Sequence, residues 1–334
     1  MILTRAAVRA VVWPVVVFVA AACGRGASAG PPRARLSALP ARPSLMFVNL
    51  ADDGAFQRVA VASLATPDGD AYVTPLSCDR VYFAGGRGLC LTVTDEGTIG
   101  PEGPVASQWA AVFDEEFRVR RRIRLAGAPS RVRVSPDGRY AAATVFDRGH
   151  SYADHRFSTR TTIFDLEAAA IAIDDLETVE TRRDGNRFRA EDFNFWGVTF
   201  ARDGDTFFAT LDTAGTSYLI KGSMDQRLLN VVRPGVECPS LSPDNTRIAF
   251  KRRIGSLSRG WWQIAVLELS SMQERLLTAE TRSVDDQVEW LDNDRVAYHI
   301  TGEGTPSDLW TVRVDGTGHP ERIRRSAYSP AVIR

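Results

Sequence analysis

Ser135-Pro136-Asp137-Gly138, followed by the strand pattern RYAAATVF (139–146), is the stretch whose reading decides the fold. The arrangement returns as Ser242-Pro243-Asp244-Asn245 before TRIAFKR (246–252). Weaker copies are Ala201-Arg202-Asp203-Gly204 before DTFFATL (205–211) and Leu291-Asp292-Asn293 before DRVAYHI (294–300). Each follows a short apolar run and precedes an alternating one, the pattern of two strands joined by a tight turn. Ser and Asp bond local backbone, Pro pre-sets φ, and Gly or Asn accepts φ > 0. Asp137, Asp203 and Asp244 are therefore read as turn formers rather than catalytic or metal-binding groups. Self-similarity at a spacing of roughly 40 to 65 residues predicts a repeat architecture, a β-propeller.

Working outward, a four-strand unit fits five times. The units are DRVYFA, GLCLTVT, WAAVFD and RRRIRL (79–125); RVRVS, RYAAATVF, RTTIFDL and LETVET (131–181); GVTFA, DTFFATL, SYLIKG and QRLLNVV (197–232); CPSLS, TRIAFKR, WQIAVLEL and QERLLT (238–278); and DQVEW, DRVAYHI, DLWTVRV and PERIR (286–324). LMFVNL (45–50), RVAVASL (57–63) and DAYVTPL (70–76) remain at the start, and AYSPAVIR (327–334) at the end. Three strands plus one make a sixth blade. The expectation is an all-β, six-bladed propeller over 45–334, closed by pairing the C-terminal strand with the first blade so that no sheet edge is left open at the seam. Ser329-Pro330 then lies on that last, innermost strand. The arginines of 118–125 fall on an outermost strand, where charge suppresses edge-to-edge association. Trp262, Trp290 and Trp310 lie within strand patterns and read as core.

The N-terminus is of another kind. Arg5 and Arg9 precede the apolar run Val11–Ala22, which is too short to span a bilayer and suits a signal peptide over 1–22. The small residues before Cys23 resemble a bacterial lipobox, which would make Cys23 the lipidated first residue of the mature chain. An ordinary secretory signal cut near Ala22 is the other reading. Residues 23–44, rich in Gly, Ala, Pro and Arg, read as a flexible tether.

Charge is balanced, with 41 basic and 41 acidic residues, so bulk electrostatics point to no nucleic acid. Basic charge is nearly all arginine; Lys221 and Lys251 are the two lysines. Export permits disulfides. Cys78 and Cys90 flank the hairpin RVYFAGGRG and are the expected pair. A regular hairpin turning at Gly85-Gly86 sets Cys78 opposite Val93, so that a bulge near the glycines is expected. Cys238 is then an odd thiol or belongs to a different pair. No Cys/His spacing suggests zinc, and no cofactor is expected.

The repeats, with a closing strand such as RLLT, resemble the TolB-type β-propeller over 130–315. With the lipobox, the chain looks like the TolB-like propeller lipoproteins of high-GC bacteria. The resemblance implies an extracytoplasmic protein that binds other proteins of the cell envelope. TolB carries an additional N-terminal α/β domain, for which 23–44 has no room, so its translocation role is not carried over. Similar repeats precede the hydrolase domain of some serine peptidases, but the Gly-x-Ser-x-Gly pattern occurs here only as Gly26–Gly30 within the tether, and no catalytic domain is expected.

Loop lengths suggest where binding lies. Turns between first and second strands are tight. The second-to-third connections 95–108, 147–159, 253–261 and 301–307, and the blade-to-blade link 181–196, are long and emerge on one face. That face is expected to gather His150, Tyr152, His155, Arg156, Arg160, Arg183, Arg187, Arg189, Trp196, Arg259 and Trp261. Guanidinium and aromatic groups together suit protein interfaces and planar anions. The same residues read equally as solvated decoration, balanced by Asp147, Asp154, Asp184, Glu191 and Asp192. His150 and His155 have no third ligand and are not read as a metal pair.

The leading expectation is a monomeric, exported propeller, held by the Cys23 lipid at the outer face of the cell membrane or on the periplasmic side of a Gram-negative envelope. It would act as a protein- or peptide-binding scaffold rather than an enzyme. The alternatives are a propeller hydrolase or lyase acting on cell-wall or carbohydrate material, with Asp192, Glu289 and His299 as scattered candidates, and a small-ligand sensor.

Overall fold

The recurring turns close as their chemistry requires. In 135–140, Ser135 and Tyr140 join through Ser135 N–H to Tyr140 O (2.7 Å), and the Asp137 carboxylate accepts from Ser135 Oγ (2.5 Å) and Arg139 N–H (3.0 Å). Asp244 accepts in the same way from Ser242 Oγ (2.5 Å) and Thr246 N–H (3.0 Å). Asp203 and Asp292 each accept two backbone N–H groups. Partial burial pushes the Asp244 pKa up, but the bonds from Ser242 and Thr246 outweigh it and hold the carboxyl at about 2.

Those hairpins assemble into six sheets in a computed structural model that describes residues 35–100, 103–147, 157–255, 261–301 and 306–334, with backbone alone at 95–100 and 103–106. The chain divides into Met1–Pro32, outside the described residues, and the body Arg33–Arg334. From inner to outer strand, blade 1 is Ala327–Ile333, Ser44–Asn49, Arg58–Ser63 and Ala71–Ser77; blade 2 is Arg80–Ala84, Arg87–Gly100, Gly103–Asp114 and Val119–Leu125. Blade 3 is Ala128–Val134, Tyr140–Phe146, Thr159–Asp165 and Ala170–Ile173; blade 4 is Asn194–Phe200, Thr206–Thr213, Thr216–Ser223 and Leu228–Pro234. Blade 5 is Glu237–Leu241, Arg247–Ile254, Trp261–Glu268 and Glu274–Leu276; blade 6 is Glu289–Trp290, Arg295–Ile300, Asp308–Arg313 and Glu321–Arg324.

The expected closure is present. Ala327–Ile333 pairs antiparallel with Ser44–Asn49, from Ser44 opposite Ile333 to Asn49 opposite Ala327. Both strands are buried along most of their length. The core lies between blades. Leu89 and Leu91 of blade 2 pack with Val132, Val134 and Phe164 of blade 3. Ile264 and Val266 of blade 5 pack with Trp290, Tyr298 and Val312 of blade 6. Each such side chain stabilises the fold by roughly 1.5–3 kcal/mol relative to exposure.

Four segments differ from their sequence reading. LETVET is not the outer strand of blade 3; Ala170–Ile173 is. Asp175 instead caps a short 3-10 turn at Leu176–Thr178, and Glu180–Arg183 then runs parallel to the outer strand of blade 4. Asn186–Arg187 adds a sixth strand to that blade through a two-residue turn at Asp184-Gly185, both at positive φ. An Asp-Gly pair favours this hairpin, so the link 181–196 is partly sheet. Residues 95–108, read as a loop, are mostly a two-stranded ribbon, paired from Asp95 opposite Ala106 to Gly100 opposite Gly103. Finally, Cys78 and Cys90 form a disulfide with Cα atoms 5.5 Å apart, and no bulge is involved. The 80–91 hairpin is regular, with Val81 opposite Cys90, and Cys78 reaches Cys90 from the link between blades rather than from within a strand.

Residues 35–43, at the end of the expected tether, are bonded to blades 1 and 2. Leu36 N–H donates to Ala71 O (3.0 Å), and Arg42 reaches Glu115 (2.9 Å). Among the described residues no helix is long and apolar enough to cross a membrane.

Deleting Ala327–Arg334 is expected to leave the buried strand Ser44–Asn49 with an open edge and to remove about 5 kcal/mol or more, comparable to the whole stability of a domain; size-exclusion chromatography and thermal melting read this as aggregation and loss of a cooperative transition. Cys78→Ser is expected to reduce stability by about 3 kcal/mol, from the closed loop it opens, measured by urea unfolding with and without reductant.

Candidate functional site

On the inner strands the period of two sorts side chains between blade interfaces and the axis. Val132 and Val134 enter the core between blades 2 and 3, while Arg131 and Arg133 make their contacts across the axis. Val288 and Trp290 enter the core between blades 5 and 6, while Gln287 and Glu289 reach other blades. The axis is thus lined by polar groups that must satisfy one another out of water.

At the end where the inner strands begin, Asp286 stands between two guanidiniums and an imidazole from three blades. Arg80 Nη1 lies at 2.7 Å, Arg131 Nε at 3.2 Å and His299 Nδ1 at 2.8 Å. Asp286 and Arg131 are 3% and 4% exposed. Burial alone would raise the Asp286 pKa; Arg131, Arg80 and His299 outweigh it and hold the carboxyl well below the usual range. Beside it, Lys251 is bonded to Asp285 and lies 3.9 Å from Glu237. Desolvation works against the Lys251 ammonium, but neighbouring Cys238, Asp285 and Glu237 outweigh it and raise its pKa. Glu237 also takes Arg253 (3.0 Å) and Trp262 Nε1–H (2.9 Å).

Further along, Glu289 accepts from Tyr82 O–H (3.1 Å) and Val332 N–H (3.2 Å), with Arg133 and Arg334 each at 3.7 Å. Burial, then the Glu289 charge, raises the Tyr82 pKa, so the phenol stays a donor. Arg133 is pinned by Val288 O (2.7 Å) and lies 4.6 Å over the Tyr82 ring. Gln287 bonds Val198 O (3.0 Å) and Pro239 O (2.6 Å). Side chains therefore fill the axis here.

Beyond Glu289, toward the tight turns, the axis opens into a funnel-shaped cavity of about 480 Å³. Tyr82, Arg133 and Glu289 lie at its floor, Trp290 and Phe200 in its walls, and Arg42, Arg202 and Arg334 also line it. The turn tips of blades 2 and 3 meet at its rim. A Cβ on Gly85, at φ +55°, would fall 2.2 Å from the Asp137 carbonyl carbon, so only glycine fits.

Of the residues expected on the long-loop face, His150, Tyr152, His155, Arg156 and Arg259 lie outside the described residues, as does Cys23. Arg160 is half-buried, with Asp174 at 3.1 Å and Asp175 at 3.7 Å. Close by, burial together with Asp175 and Asp147 raises Glu177 to about 7, so that it takes up a proton near neutral pH. Arg183 is exposed and lies 5.2 Å over the Tyr218 ring; Arg187 and Arg189 are exposed. Trp261 is exposed, while Trp196 is buried 5.2 Å from Phe157. Among the described residues Asp192, Glu289 and His299 share no partner: Asp192 bonds Thr213 (2.6 Å) and Ala214 N–H (2.7 Å) on blade 4. Among the described residues no group of three or more His, Cys, Asp or Glu is arranged to hold a metal.

The funnel and the axial charges escaped sequence reading. Their available signal was the charge alternation in RVRVS, an innermost strand with arginine on its axial side.

No protein-family model and no curated protein matches the chain. TolB from Acinetobacter baumannii is similar over 87% of this chain and 67% of its own, at 16% identity and a TM-score of 0.57. A chain from the nidogen/laminin complex is similar over 86% and 97%, at 9% identity and a TM-score of 0.54. What is shared is the propeller fold. At such identities the likeness extends no further.

Asp286→Asn is expected to destabilise the protein by about 3–5 kcal/mol at pH 7, because Arg80 and Arg131 lose their buried counter-charge. The depressed Asp286 pKa contributes stability that is fully present above the ordinary Asp value and is lost as pH falls from there through the lowered folded value. Urea midpoints from pH 7 down to pH 3 should therefore fall more steeply in the wild type than in the variant.

Proposed function

We propose that the protein is an extracytoplasmic scaffold that binds an envelope protein or peptide, is anchored by a lipid on Cys23, and is not an enzyme. The observation that carries this reading is the commitment of the axial charges to one another. Asp286 and Glu289 have cationic or hydrogen-bonding partners from other blades, and Glu237 is engaged by Lys251, Arg253 and Trp262 of its own blade. Groups so engaged hold blades together, and a general acid or nucleophile needs an uncommitted lone pair or proton facing substrate. Exposed Arg183, Arg187 and Trp261 supply the residue types enriched where proteins meet. The resemblance to TolB-type repeats, and the TolB-like fold, support the extracytoplasmic setting.

The test is photocrosslinking from the blade 4 hairpin in native membranes, followed by recovery of the adduct. One partner is expected repeatedly, with capture reduced about tenfold or more by the double variant Arg183→Ala, Arg187→Ala. Recovery of no partner, or capture unchanged by that variant, overturns the assignment. Cys23→Ala is expected to release the protein from the membrane fraction while leaving capture by a solubilised partner intact.

A further inference from the structure

We infer that the funnel at the tight-turn end is a binding site for an organic carboxylate: an apolar body that ends in one planar, singly charged acid group. It lies at the opposite end of the propeller from the surface invoked above and does not depend on that reading.

Four features point to this class. First, the funnel is closed at its floor by Tyr82, Arg133 and Glu289, so a ligand enters end-on. Its volume of about 480 Å³ falls within the range of small-ligand sites. Second, Trp290, Phe200, Val134, Val332 and Leu241 form an apolar lining suited to hydrocarbon or aromatic surface. Third, the lining carries four guanidiniums, on Arg42, Arg133, Arg202 and Arg334, against the carboxylates of Glu289 and Asp137. Both of those carboxylates already accept hydrogen bonds, Glu289 from Tyr82 and Val332 and Asp137 from Ser135 and Arg139. Arg202, at the exposed turn of blade 4, has neither an ion pair nor a hydrogen bond among the described residues. A planar fork of N–H donors matches a carboxylate in two parallel bonds. Fourth, Glu289 at the floor repels a second negative charge, which favours a carboxylate over a phosphate dianion.

A medium-chain acid and the free C-terminus of a peptide share this chemistry. The test titrates the purified protein by calorimetry with octanoate, octanol, inorganic phosphate, and an acetylated tripeptide ending in phenylalanine as free acid and as amide. Binding is expected for octanoate, for the peptide acid, or for both, and which of them binds identifies the source. Octanol, the amide and phosphate are expected at least tenfold weaker. Arg202→Gln, confirmed folded by its melting transition, is expected to weaken carboxylate binding roughly tenfold or more, the loss of one charge-assisted bond. Arg183→Gln, at the other end, is expected to leave it unchanged. The proposal is overturned if neither acid binds, if the amide, octanol or phosphate binds as tightly, or if Arg202→Gln has no effect.

Discussion

The strand Ser44–Asn49 is buried on both of its edges because Ala327–Ile333 lies between it and the axis. A sheet array that curls upon itself has to meet its own beginning, and here the meeting is made from chain segments almost 300 residues apart (about the whole body) rather than from neighbours. Until that pairing forms, the inner edge of blade 1 is a template for foreign strands, and Ser329 cannot accept and donate across to Val81 of blade 2. The seam therefore governs two blades at once. It also brings Val332 to Glu289, so the floor of the funnel is itself a product of closure.

Closure creates a second problem, which the axial charges answer. Six inner strands converge on a line where no apolar core can be continuous, since every other side chain points there. Polar groups fill the space, and out of water they must be matched. Asp286 joins blades 2, 3 and 6 through Arg80, Arg131 and His299; Lys251 and Glu237 serve blade 5. Such pairs are weak contributors to net stability when compared with apolar packing, but they penalise any arrangement that separates them. They act on which blades meet, and in what register.

Much of this architecture was legible in the chain. Turn chemistry located the hairpins, because Asp137, Asp203, Asp244 and Asp292 bond within a few residues of themselves, and local bonds leave local signals. The seam followed from counting strands. The misread segments have local causes. LETVET carries strand-like residues, but Asp175 takes the Glu177 N–H and turns the chain before a strand can continue from blade 3. The Asp184-Gly185 signal for the added hairpin was present and lay inside a stretch too polar to read as sheet. The funnel was not legible, because its parts come from all six blades. Nothing near Arg133 in the sequence announces Glu289 or Tyr82, and Arg202 read as an ordinary turn residue.

The scarcity of lysine, combined with the burial of one of the two, gives the folded body an unusual chemical surface. Lys251 is sealed among Asp285 and Glu237, whereas Lys221 stands exposed on the third strand of blade 4. The propeller thus presents a single side-chain amine to acylating reagents. A dye or tether placed there marks one blade without mutagenesis. The second amine becomes reactive only when the axis comes apart, so acylation at Lys251 is a native clock for the opening of the ring.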